Sequence, residues 1–116
     1  MSKVRITVGG DIETDVSRRF VQAWRRAARG KAVREHHLAF ESWAALSRVL
    51  TGKRLELLHH VRHHKVASVR ALAKALDRDY SNVHADVRAL AEAGLLDMDK
   101  SGVRADYDAI ETRVAI

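Results

Sequence analysis

Between Ser68 and Gly94 the apolar residues fall into two helical phases separated only by Asp77-Arg78-Asp79. Val69, Leu72, Ala73 and Leu76 share one helical face, and Val83, Val87 and Leu90 share another at i, i+4, i+7. Ser68 and Asp79 stand where a side-chain oxygen accepts from the first free N–H groups of a helix. Gly94 stands where a helix ends. So short a connection holds the second helix against the first at a steep angle. This stretch is therefore read as a helix–turn–helix, the second helix running from Tyr80 to Ala93.

The flanking segments extend that unit. Thr51 is placed to cap a helix from Lys53 to about His64, with Leu55, Leu57, Leu58 and Val61 available for the core. Before it, Glu41 to Leu50 reads as helical with Trp43, Leu46, Val49 and Leu50 inward. After Gly94, Leu95 to Asp99 and Val103 to Asp108 flank Lys100-Ser101-Gly102, which is the pattern of a β-hairpin. The closing residues, Ile110 to Ile116, fit either a further strand or a packed tail.

The first 40 residues follow a different rhythm. Val4, Ile6 and Val8 alternate with Lys3, Arg5 and Thr7, the period of a half-buried strand ended by Gly9-Gly10. Asp15 is a candidate cap for a helix to about Arg29, striped by Val16, Phe20, Trp24 and Ala27 and stopped by Gly30. Residues 34–40 read as a second strand. Strand, helix, strand in so few residues implies parallel strands and a right-handed crossover. Two strands alone are marginal in water, so this segment must lean on the rest of the chain, a second copy or another protein. The expected fold class is α+β and mainly helical: a winged helix-turn-helix over 41–116 with a small N-terminal β-α-β extension over 1–40.

Composition narrows the function. With 116 residues the chain is one ordinary domain, or one domain with a short extension. It has no cysteine, which removes disulfides, thiolate metal sites and cysteine nucleophiles. No apolar run is long enough for a membrane span, and Met1 to Arg5 does not open a signal peptide, so a cytoplasmic protein without membrane contact is expected. The net charge of +6 fits a polyanionic partner. Proline is absent, leaving turns to the glycines and their polar neighbours.

Residues 68–96, SVRALAKALDRDYSNVHADVRALAEAGLL, resemble the MarR-like and related winged-helix regulators of bacteria and archaea. The likeness lies in the Leu-Ala-x-x-Leu run, the Val-x-x-x-Val-x-x-Leu helix core and the Ala-Gly-Leu-Leu exit. Residues 41–67 resemble a subgroup of short regulators, some of them similar to antitoxins encoded beside a toxin gene. The resemblance covers roughly 41–110. It implies a transcriptional regulator, probing double-stranded DNA as a homodimer and acting as an autorepressor, with a toxin protein as a further partner in the antitoxin version. No cofactor is implied.

On that reading the helix starting at Tyr80 enters the major groove, which admits one helix. Its side chains not needed for the core are Tyr80, Ser81, Asn82, His84 and Ala85, the candidates for base contact. Asn82 is the first of them, because an asparagine can bond adenine through two hydrogen bonds. The competing reading is that Ser81 and Asn82 only serve the helix end. Arg70, Lys74, Arg78, Arg88, Lys100 and Arg104 are the phosphate candidates, against a reading as solvated surface. Asp86 would repel phosphate unless it turns away or pairs with Arg78 or Arg88.

Phe20 and Trp24 are candidates for a dimer or partner contact, or else ordinary core. The arginines of the first helix are a solvated face, extra phosphate contacts or a seat for an acidic partner. His59/His63 and His60/His64 have metal-compatible spacing, but nothing nearby completes a ligand set, so no metal site is expected. Nor is an enzyme expected: Val8-Gly9-Gly10-Asp11 lacks the rest of a phosphate loop, and Ser81 with His84 is a chance spacing. A winged helix used only to bind protein is the alternative from another class.

Overall fold

The computed structural model describes residues 2–9 and 35–116. Two compact units divide the chain: Met1–Leu46 together with Tyr107–Ile116, and Ser47–Asp106. The chain is α+β, and the described residues form five strands and four helices.

In the first unit, β1 (Lys3–Val8) lies at the centre of a three-stranded sheet of order β2-β1-β5. β2 (Glu35–Phe40) pairs with it parallel, Lys3 opposite Glu35 through Val8 opposite Phe40. The bounds of β1 are those the alternation implied, and the parallel pairing is the one expected from the order strand, helix, strand. The helix expected between them, with Phe20, Trp24 and its arginines, lies outside the described residues.

The third strand answers the question left open at the C-terminus. β5 (Ala109–Val114) pairs parallel with the other edge of β1, Lys3 opposite Ala109 through Val8 opposite Val114. The N-terminal strands thus gain the support they need from the chain's own far end. Val4, Ile6 and Val8 are almost fully buried. On the opposite face Glu111 lies 3.5 Å from Lys3 Nζ and 3.7 Å from Arg5 Nε.

Next along the chain comes α1 (Trp43–Val49). Here the expectation needs correcting. Of Trp43, Leu46, Val49 and Leu50 only Leu46 is buried, and Trp43 is 59 % exposed. The helix has two turns and Trp43 is its first residue, so it has helical neighbours on one side only.

In the second unit, α2 (Gly52–His63), α3 (Val69–Leu76) and α4 (Tyr80–Glu92) precede the hairpin of β3 (Asp97–Asp99) and β4 (Gly102–Arg104). The three caps are those the sequence offered. Thr51, Ser68 and Asp79 accept from the backbone N–H groups of Arg54, Ala71 and Asn82 at 3.3, 3.1 and 3.2 Å. Each such cap contributes about 1 kcal/mol.

The turn between α3 and α4 is made by Asp77 in the left-handed region, φ 53°, while the Arg78 N–H returns to the Ala73 carbonyl at 3.0 Å. This is the doubly bonded helix ending usually supplied by glycine, and aspartate is one of the few other residues that tolerate it. α3 packs on α4.

The core of this unit joins Leu57, Leu58 and Val61 with Leu72, Val83, Val87, Leu90, Leu95 and Val103. Leu55, expected among them, is 46 % exposed. It lies roughly 100° round α2 from the centre of the face formed by Leu57, Leu58 and Val61. Val66 bridges antiparallel to Val103, so the segment before α3 flanks the hairpin.

Candidate nucleic-acid interface

The first two turns of α4 divide cleanly by burial. Val83 and Val87 face the core, while Tyr80, Ser81, Asn82, His84 and Ala85 are all exposed. Asp79 holds the helix start, so Ser81 and Asn82 are not required for capping. The Asn82 and Ser81 side chains make no hydrogen bond among the described residues. Tyr80 has two close neighbours: the Arg70 guanidinium stands 5.0 Å from its ring centre, and the His84 ring 5.7 Å away. A cation over an aromatic face is held by the ring quadrupole, which fixes Arg70 beside the helix start.

Asp86 does not oppose an anion on this surface. Its carboxylate accepts from Arg78 at 2.8 Å and from Arg54 Nε at 3.0 Å, and it is largely withdrawn from solvent. Burial alone would raise its pKa; the bonds and charges of Arg78 and Arg54 outweigh burial and hold it below the ordinary carboxylate value. Arg54 also donates to the carbonyls of Arg48 and Val49 at 3.0 and 2.9 Å. A single guanidinium therefore ties the end of α1 to the middle of α4. Sequence reading foresaw Arg78 as a partner for Asp86 but missed Arg54, which is 32 positions distant and carries no local signal.

Beside this clamp lies an open groove of about 600 Å³, onto which Lys53, Asn82 and Ala85 face. Lys53 was not among the expected cations; its place on the first turn of α2 brings it next to α4.

The six expected phosphate residues fall into three groups. Arg70, Lys74 and Lys100 are exposed, and neither lysine has an ion-pair partner among the described residues. Arg88 and Arg104 are exposed but paired: Arg88 with Glu92 at 3.3 Å, and Arg104 with Asp99 at 2.6 Å and Asp106 at 3.9 Å. Exposed pairs of this kind contribute roughly 0–1 kcal/mol and yield readily to a better anion. Arg78 is half-buried and spent on Asp86.

At the hairpin tip Asp99 accepts from the Ser101 hydroxyl and from its N–H, the latter at 2.8 Å. These bonds, ahead of the Arg104 charge, hold Asp99 below the ordinary carboxylate value.

The histidines at the end of α2 meet in two ring pairs, the first tilted by 56° and the second stacked. His59 and His63 have ring centres 4.5 Å apart, and His60 and His64 4.2 Å, nearly parallel. Burial, then the neighbouring charges of His64 and His59, hold His60 below the ordinary histidine value. Among the described residues no group of three or more His, Cys, Asp or Glu is assembled to hold a metal. No described helix is long and apolar enough to cross a membrane.

These elements define an α+β chain in which the start of α4 presents exposed polar side chains, with Asp86 paired to Arg54 and Arg78 and cations nearby. The family model described as HVO_A0114 matches residues 49–112, more than half of the chain, and the chain belongs to that family. No curated protein and no solved structure matches it.

Proposed function

We propose that residues 41–106 form a winged helix-turn-helix that binds double-stranded DNA in a sequence-specific way, and that the chain is a transcriptional regulator, in the first instance of its own gene. The observation that carries this reading is the outer half of α4. Ser81, Asn82, His84 and Ala85 are exposed on one face, and the carboxylate of Asp86, in the same half of the helix, is neutralised by Arg54 and Arg78. A helix of this kind fits the major groove, and phosphates fall to Lys53, Arg70, Lys74 and Lys100, with Arg88 and Arg104 exchanging a carboxylate for a phosphate.

The MarR-like resemblance of residues 68–96 supports the same reading. The resemblance of residues 41–67 extends it to an antitoxin that also binds a toxin protein, tested by co-purification with the product of the neighbouring gene.

Two expected results follow. Asn82→Ala reduces the preference for the cognate duplex by about 1–3 kcal/mol while leaving binding to scrambled DNA unchanged. Fluorescence anisotropy on both duplexes measures this. Lys74→Ala and Lys100→Ala weaken binding to both duplexes alike, each lowering the slope of log affinity against log salt by about 0.9. A salt titration reads that slope.

A further inference from the structure

We infer that two copies of this chain pair antiparallel through the outer edges of β5, about a two-fold axis at Thr112, joining two three-stranded sheets into one of six strands. The inference bears on the dimer that the DNA reading calls for, but it rests on the sheet alone.

The Ala115 N–H donates to the Val8 carbonyl at 2.9 Å, and Val8 is in register with Val114. In a parallel pair this makes alternate residues of β5, Glu111, Arg113 and Ala115, bond to β1. The N–H and C=O groups of Ile110, Thr112 and Val114 therefore point away from β1. No strand among the described residues pairs with that side. Glu111 to Val114 are exposed. A six-residue edge without proline or bulge is a template for another strand.

Edge charges normally discourage such pairing, but here they select one register. An antiparallel pair centred on Thr112 sets Glu111 opposite the second copy's Arg113, twice over, in the closely spaced non-hydrogen-bonded positions. It sets Ile110 opposite Val114, extending the apolar face that carries Val4, Ile6 and Val8, and Thr112 opposite Thr112. Centring on Glu111 or Arg113 puts like charges directly opposite. A parallel in-register pair does the same at both positions. Centring on Ile110 or Val114 carries much of the pairing beyond the ends of the strand. Only the Thr112 register uses all six outward backbone groups and opposes unlike charges. The outer edge of β2 offers no comparable selection, since it pairs no acid with a base about any of its central residues.

The test is the solution mass of the full chain by light scattering after size exclusion, across a dilution series and without DNA. The wild type is expected at twice the 13.0 kDa chain mass. Thr112→Pro removes an outward N–H that β1 does not use, and proline is tolerated on such an edge. It is expected to be monomeric with an unchanged circular dichroism spectrum. Arg113→Glu places four carboxylates at the axis and raises the dimer Kd on the order of tenfold or more. Glu111→Arg does so with four guanidiniums. Mixing these two reversed chains restores complementary pairs, so a mixed dimer forms where neither forms alone, and native mass spectrometry identifies it.

A wild type that stays monomeric, or Thr112→Pro and Arg113→Glu chains that stay dimeric, overturns the proposal. So does a mixture of the reversed chains that yields no mixed dimer while the Glu111→Arg chain keeps the circular dichroism spectrum of the wild type. Because DNA is absent, these outcomes are separate from any failure of DNA binding.

Discussion

Replacing Gly102 with alanine unfolds the hairpin and destabilises its unit by about 4 kcal/mol or more. Gly102 has φ 123°, a backbone conformation that side chains rarely adopt, and it is buried where the hairpin turns into β4. A Cβ there would overlap the Val66 carbonyl oxygen and stand 3.1 Å from Ala67 Cα. Both obstacles are backbone, and the first is the same carbonyl that accepts from the Val103 N–H at 3.0 Å. Relief would break that bond and withdraw Val103 from the core. Strain and lost burial together place the change among the rare severe substitutions. Thermal melting followed by circular dichroism measures it. Gly52→Ala is the control: it opens a helix with nothing within 4 Å of the new Cβ, and should be neutral or stabilising by up to about 1 kcal/mol.

The second large effect comes from Asp86. Asp86→Ala leaves the guanidiniums of Arg54 and Arg78 facing each other, half-buried, with their common acceptor gone. Removing one member of a fully buried ion pair costs about 3–5 kcal/mol. The partial exposure of this cluster reduces that to about 2–3 kcal/mol, a fall of roughly 10 °C in Tm.

The same group predicts an acid limb. Its pKa is lower in the folded chain than in the unfolded one, so the unfolded state binds the proton more readily. The contribution of Asp86 is complete above about pH 4 and is lost as pH falls through the depressed folded value. Melting curves taken through that acid range should show a steeper loss in the wild type than in Asp86→Ala. Parallel curves would deny Asp86 this role.

The features legible in the sequence were those written locally. Lys3–Val8 alternates, so its strand emerged with the correct bounds. Thr51, Ser68 and Asp79 each precede an apolar periodic run, so the three helix starts emerged as well. What escaped was non-local. Ala-Ile-Glu-Thr-Arg-Val at 109–114 is exposed along most of its length and shows little amphipathic contrast, and its partner lies at the other end of the chain. Parallel pairing leaves no hairpin signal to announce it. Leu55 and Trp43 are apolar in type, but burial depends on helical phase and position along the helix.

The candidate surface shows the same division. The exposed residues of α4 follow from the positions of Val83 and Val87, one turn apart. That Arg54 shares Asp86 with Arg78, and that Lys53 stands beside Asn82, depends on how α2 meets α4, which no short-range pattern encodes.

Sequence-specific DNA binding is measured by recovering duplexes from a random library with the full chain, followed by anisotropy on the enriched and scrambled duplexes at physiological salt. The expected result is a common motif, tight binding that persists at that salt, and a preference that Asn82→Ala largely removes. Recovery of no motif, with equal binding to both duplexes that salt abolishes, would contradict it.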